Sequence, residues 1–176
     1  HITAGSGRDV MNATAASFYV VLDGGPGNDV VRGGASGDVL MGWTGNDRLF
    51  GNGGDDMLVG GLGRDTMEGG AGADLFRWDL AAEGRDRIVG FASGEDRLWI
   101  DASGFRGGLQ EGMDLLATGR FVLGSVATAA RGQFLYDQAP GTLLWDVDGT
   151  GARASVLIAE LGAGTVLSAG DFLIVA

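Results

Sequence analysis

Between Gly24 and Arg77 one apolar side chain returns every nine residues: Val31, Leu40, Leu49, Leu58, Met67 and Phe76. The polar positions keep the same step, with Asp29, Asp38, Asp47, Asp56, Asp65 and Asp74 two residues earlier. The six blocks, GGPGNDVVR, GGASGDVLM, GWTGNDRLF, GNGGDDMLV, GGLGRDTME and GGAGADLFR, follow one another without insertion or deletion. A fixed period marks a repeat architecture, in which each unit buries its apolar side against its neighbours. The first six residues of a block read as a turn, because glycine and aspartate tolerate backbone angles closed to most side chains. The last three, such as Val30-Val31-Arg32, read as a short strand. Strand alternation sends position eight inward and positions seven and nine outward. Arg32, Arg48, Glu68 and Arg77 suit outward places, whereas Met41, Phe50 and Val59 do not. Two blocks make an 18-residue coil of turn, strand, turn, strand. Stacked coils form two parallel sheets with strands about 4.8 Å apart, and each turn lies over the turn two blocks later.

The flanks keep part of this pattern. Residues 4–11, AGSGRDVM, fit a block apart from Ala4, and residues 15–23 retain the strand Tyr19-Val20-Val21-Leu22 without the glycines or the acid. After Arg77 the period fails, and residues 86–101, DRIVGFASGEDRLWID, alternate as strands do. A solenoid ends in unpaired edges and open apolar surface, so something must cover it. Phe91, Leu98, Trp99, Ile100, Phe105, Phe121, Phe134, Leu143, Leu144 and Trp145 supply a conventional core for such a cap. The expected organisation is a degenerate N-terminal repeat or flank over 1–23, a repeat array over 24–77 and a capping region over 78–176.

Charge and composition narrow the chemistry. A net charge of −11 opposes nucleic acid and anionic membrane surfaces and favours cations. The chain has no cysteine, hence no disulfide and no thiolate metal site. Glycine is abundant at 35 of 176 residues, but 45% hydrophobic content separates the chain from disordered compositions. No apolar run is long enough for a membrane span, no amino-terminal signal peptide is visible, and the start at His1 reads as a fragment boundary. With His1 the single histidine, neither an HExxH zinc motif nor a histidine triad can form, and no G-x-S-x-G elbow occurs. The chain is expected not to be an enzyme.

One apolar side chain per nine residues is a thin core for a glycine-rich coil, because ordering the backbone costs free energy at every residue. Stacking also brings the aspartates of one edge together, where like charges repel. A counter-ion resolves both difficulties. Carboxylates and carbonyls freed by tight turns form an all-oxygen ligand set suited to a hard divalent cation. Calcium, which accepts six to eight oxygens in irregular cages, fits better than magnesium, which demands a regular octahedron.

The six blocks resemble the GGxGxDxUx nonapeptide of the RTX (repeats-in-toxin, haemolysin-type calcium-binding) proteins, and residues 121–176 resemble the C-terminal region of serralysin-type proteases. The resemblance implies an all-β fold, a right-handed parallel β-roll with a C-terminal β-rich cap, and Ca2+ as cofactor in four or five copies. In the family's scheme one turn gives the carbonyls of positions two and four and the aspartate. The turn two blocks later gives the carbonyls of positions one and three and its own aspartate. Carried over, Gly25, Gly27 and Asp29 face Gly42, Thr44 and Asp47; Gly34, Ser36 and Asp38 face Gly51, Gly53 and Asp56. Trp43, Gly45 and Asp47 face Gly60, Leu62 and Asp65; Asn52, Gly54 and Asp56 face Gly69, Ala71 and Asp74. Asp9, pairing with Asp29, gives a fifth site. Ser36, Trp43 and Asn52 depart from glycine, which a carbonyl donor permits if the backbone angles allow.

Asp96 and Asp101 are either further ligands of the last coil or solvated turn acids. Asp146-Val147-Asp148-Gly149-Thr150-Gly151 resembles the start of an EF-hand loop but lacks its closing acid, so a hairpin turn is expected. The resemblance reads the tail, Asp171 to Ala176, as a type I secretion signal; as sequence it is also a final strand. It further implies the C-terminal part of a larger secreted bacterial protein that folds on extracellular calcium. Serralysins, lipases and alginate epimerases carry their catalytic domains upstream. Calcium ions and the secretion machinery are the expected partners of a monomer. An alternative role is polysaccharide binding or cell-surface attachment, with Trp43, Arg32, Arg48 and Phe50 lining an outward face.

Overall fold

Odd and even strands separate into two sheets, as an 18-residue coil requires. The computed structural model describes residues 1–176. Its strands are β1 (Ile2–Thr3), β2 (Val10–Asn12), β3 (Val21–Asp23), β4 (Val30–Arg32), β5 (Val39–Thr44), β6 (Arg48–Gly53), β7 (Met57–Leu62), β8 (Thr66–Ala71) and β9 (Leu75–Trp78). Beyond the regular blocks lie β10 (Asp86–Val89), β11 (Arg97–Asp101), β12 (Phe121–Leu123), β13 (Gln133–Asp137), β14 (Thr142–Asp146), β15 (Val156–Glu160) and β16 (Phe172–Val175). A seven-stranded sheet runs β1-β3-β5-β7-β9-β11-β16, parallel throughout. A nine-stranded sheet runs β12-β13-β14-β15-β10-β8-β6-β4-β2. It is parallel from β2 to β15 and turns into an antiparallel meander over β15, β14 and β13.

Position eight forms the core between the sheets. Val31, Leu40, Leu49, Leu58, Met67 and Phe76 are each 0% exposed. Leu22, Leu40, Leu58, Phe76 and Leu98 align in one sheet, and Met11, Val31, Leu49, Met67 and Ile88 in the other. The column therefore extends beyond both ends of the regular array. The sheets run without a break across residues 23/24 and 77/78, with β2 on β4, β3 on β5, β10 on β8 and β11 on β9.

The central strands are longer than the three residues expected. β5 to β8 each span six, continuing through positions one to three of the next block. The cause lies at position one. Gly42, Gly51, Gly60 and Gly69 are buried and face inward in the same alternation as position eight. A glycine there reads as turn in sequence but serves as an inward strand residue without a side chain.

The cap closes the carboxy-terminal end. Phe105, Phe134 and Trp145 meet with ring centroids 4.5–6.0 Å apart, and Phe134 also touches Phe172 of β16. Phe91, Leu98, Ile100 and Leu143 join them in the core. Trp99 instead faces outward, beneath the Arg77 guanidinium at 5.3 Å. β16 lies beside β11, and its entry is fixed by the buried Asp171 carboxylate, which accepts bonds from Ser93 Oγ (2.7 Å), Gly94 N–H (2.9 Å) and Ser168 N–H (2.7 Å). Residues 146–151 belong to the β14–β15 hairpin, where Asp146 Oδ1 accepts the Gly149 N–H at 2.7 Å.

Candidate metal centre

Each turn aspartate after Asp9 supplies one oxygen to a ladder that ties coil to coil. On one edge, Asp9 N–H donates to Asp29 Oδ1, Asp29 N–H to Asp47 Oδ1, Asp47 N–H to Asp65 Oδ1 and Asp65 N–H to Asp86 Oδ1, at 2.7–2.9 Å. On the other, Val20, Asp38, Asp56 and Asp74 donate in turn to Asp38, Asp56, Asp74 and Asp96, at 2.7–3.0 Å. Backbone bonds brace the same stack. The Gly27, Gly45 and Gly54 N–H groups donate to the carbonyls of Thr44, Leu62 and Ala71, at 2.8–2.9 Å.

The second carboxylate oxygen is the informative one. Oδ2 of Asp9, Asp29, Asp47, Asp56, Asp65 and Asp74 is buried and has no hydrogen-bond partner. A buried anionic oxygen left unpaired is costly, so an array of them fits a positively charged ligand. The position-one glycines shape the space around it. A Cβ on Gly24 or Gly60 would lie 2.9 or 2.5 Å from Oδ2 of Asp29 or Asp65, and on Gly42, Gly51 and Gly69 it would collide with the carboxylates of Asp47, Asp56 and Asp74. Nowhere do three acidic or histidine side chains converge. Each candidate centre is instead two carboxylates together with turn carbonyls, a donor set of oxygens that fits calcium.

Turn conformation follows the sequence in all but one block. Position two is left-handed at Gly25, Trp43, Asn52, Gly61 and Gly70, with φ between 75° and 112°. Trp43 (φ 75°) and Asn52 (φ 76°) thus adopt the glycine-like backbone that their carbonyl role needs. The turn over residues 33–38 differs. Neither Gly34 nor Ser36 has positive φ, and the Gly34 N–H donates to Asp38 Oδ2 at 2.7 Å. No bond joins the Ser36 N–H to the Gly53 carbonyl.

Burial raises the carboxylate pKa of Asp47 and Asp74 to about 6 and of Asp56, Asp65 and Asp86 to about 7, with bonds from backbone N–H groups opposing and neighbouring carboxylates adding to the rise. Folded values above the unfolded value near 3.9 mean that the metal-free roll binds more protons than the open chain. Their contribution to stability is complete below about pH 4 and lost as pH rises through 6 to 7. In calcium-free buffer the residual β-structure is therefore expected to be greater at pH 4.5 than at pH 8, read by far-UV circular dichroism. Calcium competes with those protons, so its half-saturation should move the opposite way, to higher concentration in acid. Metal-free β-structure that increases with pH would contradict this.

The sequence model of the RTX calcium-binding nonapeptide repeat, in its four-copy form, matches residues 21–49 and again residues 50–77. This stretch is an RTX repeat array. The solution structure of the AlgE6R3 subunit of the Azotobacter vinelandii mannuronan C5-epimerase is similar to the whole roll and cap, with a TM-score of 0.51 and 26% identity over 97% of this chain and 80% of that one. No curated protein sequence matches. RTX nonapeptides bind calcium, and the chain folds as the parallel β-roll of that family.

Two members of the RTX ladders lie beyond the regular array. Residues 81–89, AAEGRDRIV, and 91–99, FASGEDRLW, are irregular blocks that place Asp86 and Asp96 in register with Asp65 and Asp74. Their G-x-D-x-U signature is present, but the insertions Trp78–Leu80 and Gly90 displace it from the nine-residue step. A second, outer ladder also escapes sequence reading: Asn28, Asn46 and Asp55 at position five accept the N–H groups of Asn46, Arg64 and Ala73 at 2.7–2.9 Å. Asp101 ends β11 in the open, where its carboxylate accepts the Ser103 N–H and Oγ–H; those bonds hold its pKa low and make it a turn acid. Trp43, Arg32, Arg48 and Phe50 do not form one face. Arg32 and Arg48 stack on Phe50, 5.1 and 5.6 Å from its centroid, outside the nine-stranded sheet. Trp43 belongs to the seven-stranded sheet, in a groove of about 450 Å³ with Met41, Val59, Leu62 and Leu80. Consecutive blocks go to opposite sheets, which separates Trp43 from Arg48 and Phe50.

Proposed function

We propose that this chain is a calcium-triggered folding module, the C-terminal part of a larger secreted bacterial protein exported by type I secretion. The observation that carries it is the set of six buried Oδ2 atoms without a partner. Aspartates with bare second oxygens and the carbonyls of their turns would hold calcium between turns two blocks apart. The bound ion supplies positive charge between carboxylates that otherwise repel. In a cytosol poor in free calcium the chain would stay open and fit for export; millimolar calcium outside would close the roll, because binding free energy becomes folding free energy. The chain itself is read as non-catalytic, in keeping with its lone histidine at residue 1. The acid and apolar run of the tail, Asp171 to Ala176, supports a secretion signal engaged before β16 folds. Far-UV circular dichroism is expected to show coil in chelator and β-structure at millimolar calcium. A fully folded roll in excess chelator at pH 8 would rule the proposal out. The alternative role in polysaccharide binding draws support from the Trp43 groove and from the epimerase origin of the similar subunit. It requires glycan binding that disappears in Trp43→Ala while the fold persists.

A further inference from the structure

Every position-six carboxylate in the two ladders after Asp9 spends Oδ1 on a neighbouring coil, but the second oxygens fall into two classes. Those of Asp9, Asp29, Asp47, Asp56, Asp65 and Asp74 are buried and bare. Those of Asp38, Asp86 and Asp96 each accept a hydrogen bond from the protein: Gly34 N–H at 2.7 Å, Trp78 Nε1–H at 2.7 Å and Ala92 N–H at 2.8 Å. A cation between two turns needs an oxygen from both. Four pairs along the edges are bare on both sides: Asp9/Asp29, Asp29/Asp47, Asp47/Asp65 and Asp56/Asp74. In the pairs Asp38/Asp56, Asp65/Asp86 and Asp74/Asp96 one side is already taken.

We infer that the ladders carry their own stops: the N–H groups of Gly34, Trp78 and Ala92 stand in for a cation, so that the chain holds four calcium ions and no ion at Asp86 or Asp96. This rests on the calcium reading of the array and adds to it which pairs bind. Trp78 is the side-chain stop. It directly follows the last regular block, is 1% exposed, and reaches Asp86 because the three residues Trp78–Leu80 are inserted before the next turn. An indole N–H can only donate. Releasing Asp86 to a cation would leave that N–H unpaired in the core, which opposes the exchange. The backbone donors at Gly34 and Ala92 act alike at the two ends of the other edge. The outcome is asymmetric, with three ions on the edge that begins at Asp9 and one on the edge that begins at Asp38.

Native mass spectrometry of the full chain with calcium chloride tests the count. Four bound ions are expected, falling to three in Asp56→Asn and staying at four in Asp86→Asn. More than four ions in the unsubstituted chain, up to the seven of ladders without stops, or the loss of one in Asp86→Asn, would overturn the stops while leaving the calcium reading intact. No uptake at all would overturn the calcium reading and the stops with it. The unsubstituted, calcium-loaded protein gives a second measurement that needs no variant to fold. The Trp78 indole N–H resonance is expected to be shifted downfield and protected from solvent exchange, and exchange at the rate of an exposed indole would refute the assignment.

Discussion

Asp47→Ala, with Asp29→Ala, is expected to be the most damaging of the single aspartate changes, losing two calcium ions at once. Asp47 is the central carboxylate of its edge, with a bare Oδ2 shared between Asp29 on one side and Asp65 on the other. Each ion at a concentration 100-fold above its dissociation constant stabilises the fold by about 2.7 kcal/mol, so two amount to about 5 kcal/mol. The lost bond from the Asp29 N–H adds about 1.5–3 kcal/mol. The sum is comparable to the whole stability of a typical domain, so Asp47→Ala should remain largely open at 1 mM calcium. Asp38→Ala is the matched control. Its Oδ2 is held by Gly34, so no ion is lost and the cost is confined to the two bonds from Val20 and Gly34, about 3–6 kcal/mol. Urea midpoints at fixed calcium compare the two. Equal losses would show that the bare oxygen carries no special role.

Gly51→Ala and Gly53→Ala, two residues apart in one block, are expected to have opposite outcomes. A Cβ on Gly51 would overlap the Asp56 carboxylate and the Gly69 carbonyl, both fixed by the stack. Overpacking of this kind costs about 1–3 kcal/mol, and the displaced Asp56 would lose its pairing with Asp74 as well. A Cβ on Gly53 meets nothing nearer than 4.0 Å, and its φ is not positive. Alanine there should be neutral or stabilise by about 0.4–1 kcal/mol, by restricting the open chain. Thermal melts at saturating calcium check both. Similar effects of the two alanines would show that the position-one glycines answer to turn geometry alone, without the carboxylate contact.

The regular array was legible because its rule is local. One inward residue and one aspartate per nine residues already dictate two sheets, a core column and two rows of acids, and Val31 through Phe76 sit where the period puts them. Legibility failed where spacing and space diverge. Asp86 and Asp96 occupy ladder positions, but insertions of three residues and one residue hide them from a fixed step. The position-one glycines look like turn and act as strand, since what matters there is the absent Cβ against an aspartate. Ser36 marks the one block whose turn closes on itself, an effect of the Gly34–Asp38 bond that composition does not reveal. In the cap, the aromatic residues pointed to a core, while the antiparallel order of β13, β14 and β15 depends on pairings far apart in sequence.

Calcium-dependent stability is the most direct measure of whether cations hold this roll together. Urea melts at pH 8 over a series of free calcium concentrations, from micromolar to 10 mM, give the unfolding free energy at each. With sites saturated, that free energy should climb by about 1.4 kcal/mol per tenfold rise in calcium for each ion bound to the folded state alone. Four ions on the bare aspartate pairs predict a slope of about 5–6 kcal/mol per decade. A free energy of unfolding that stays level across the series would contradict the aspartate ladders as cation sites.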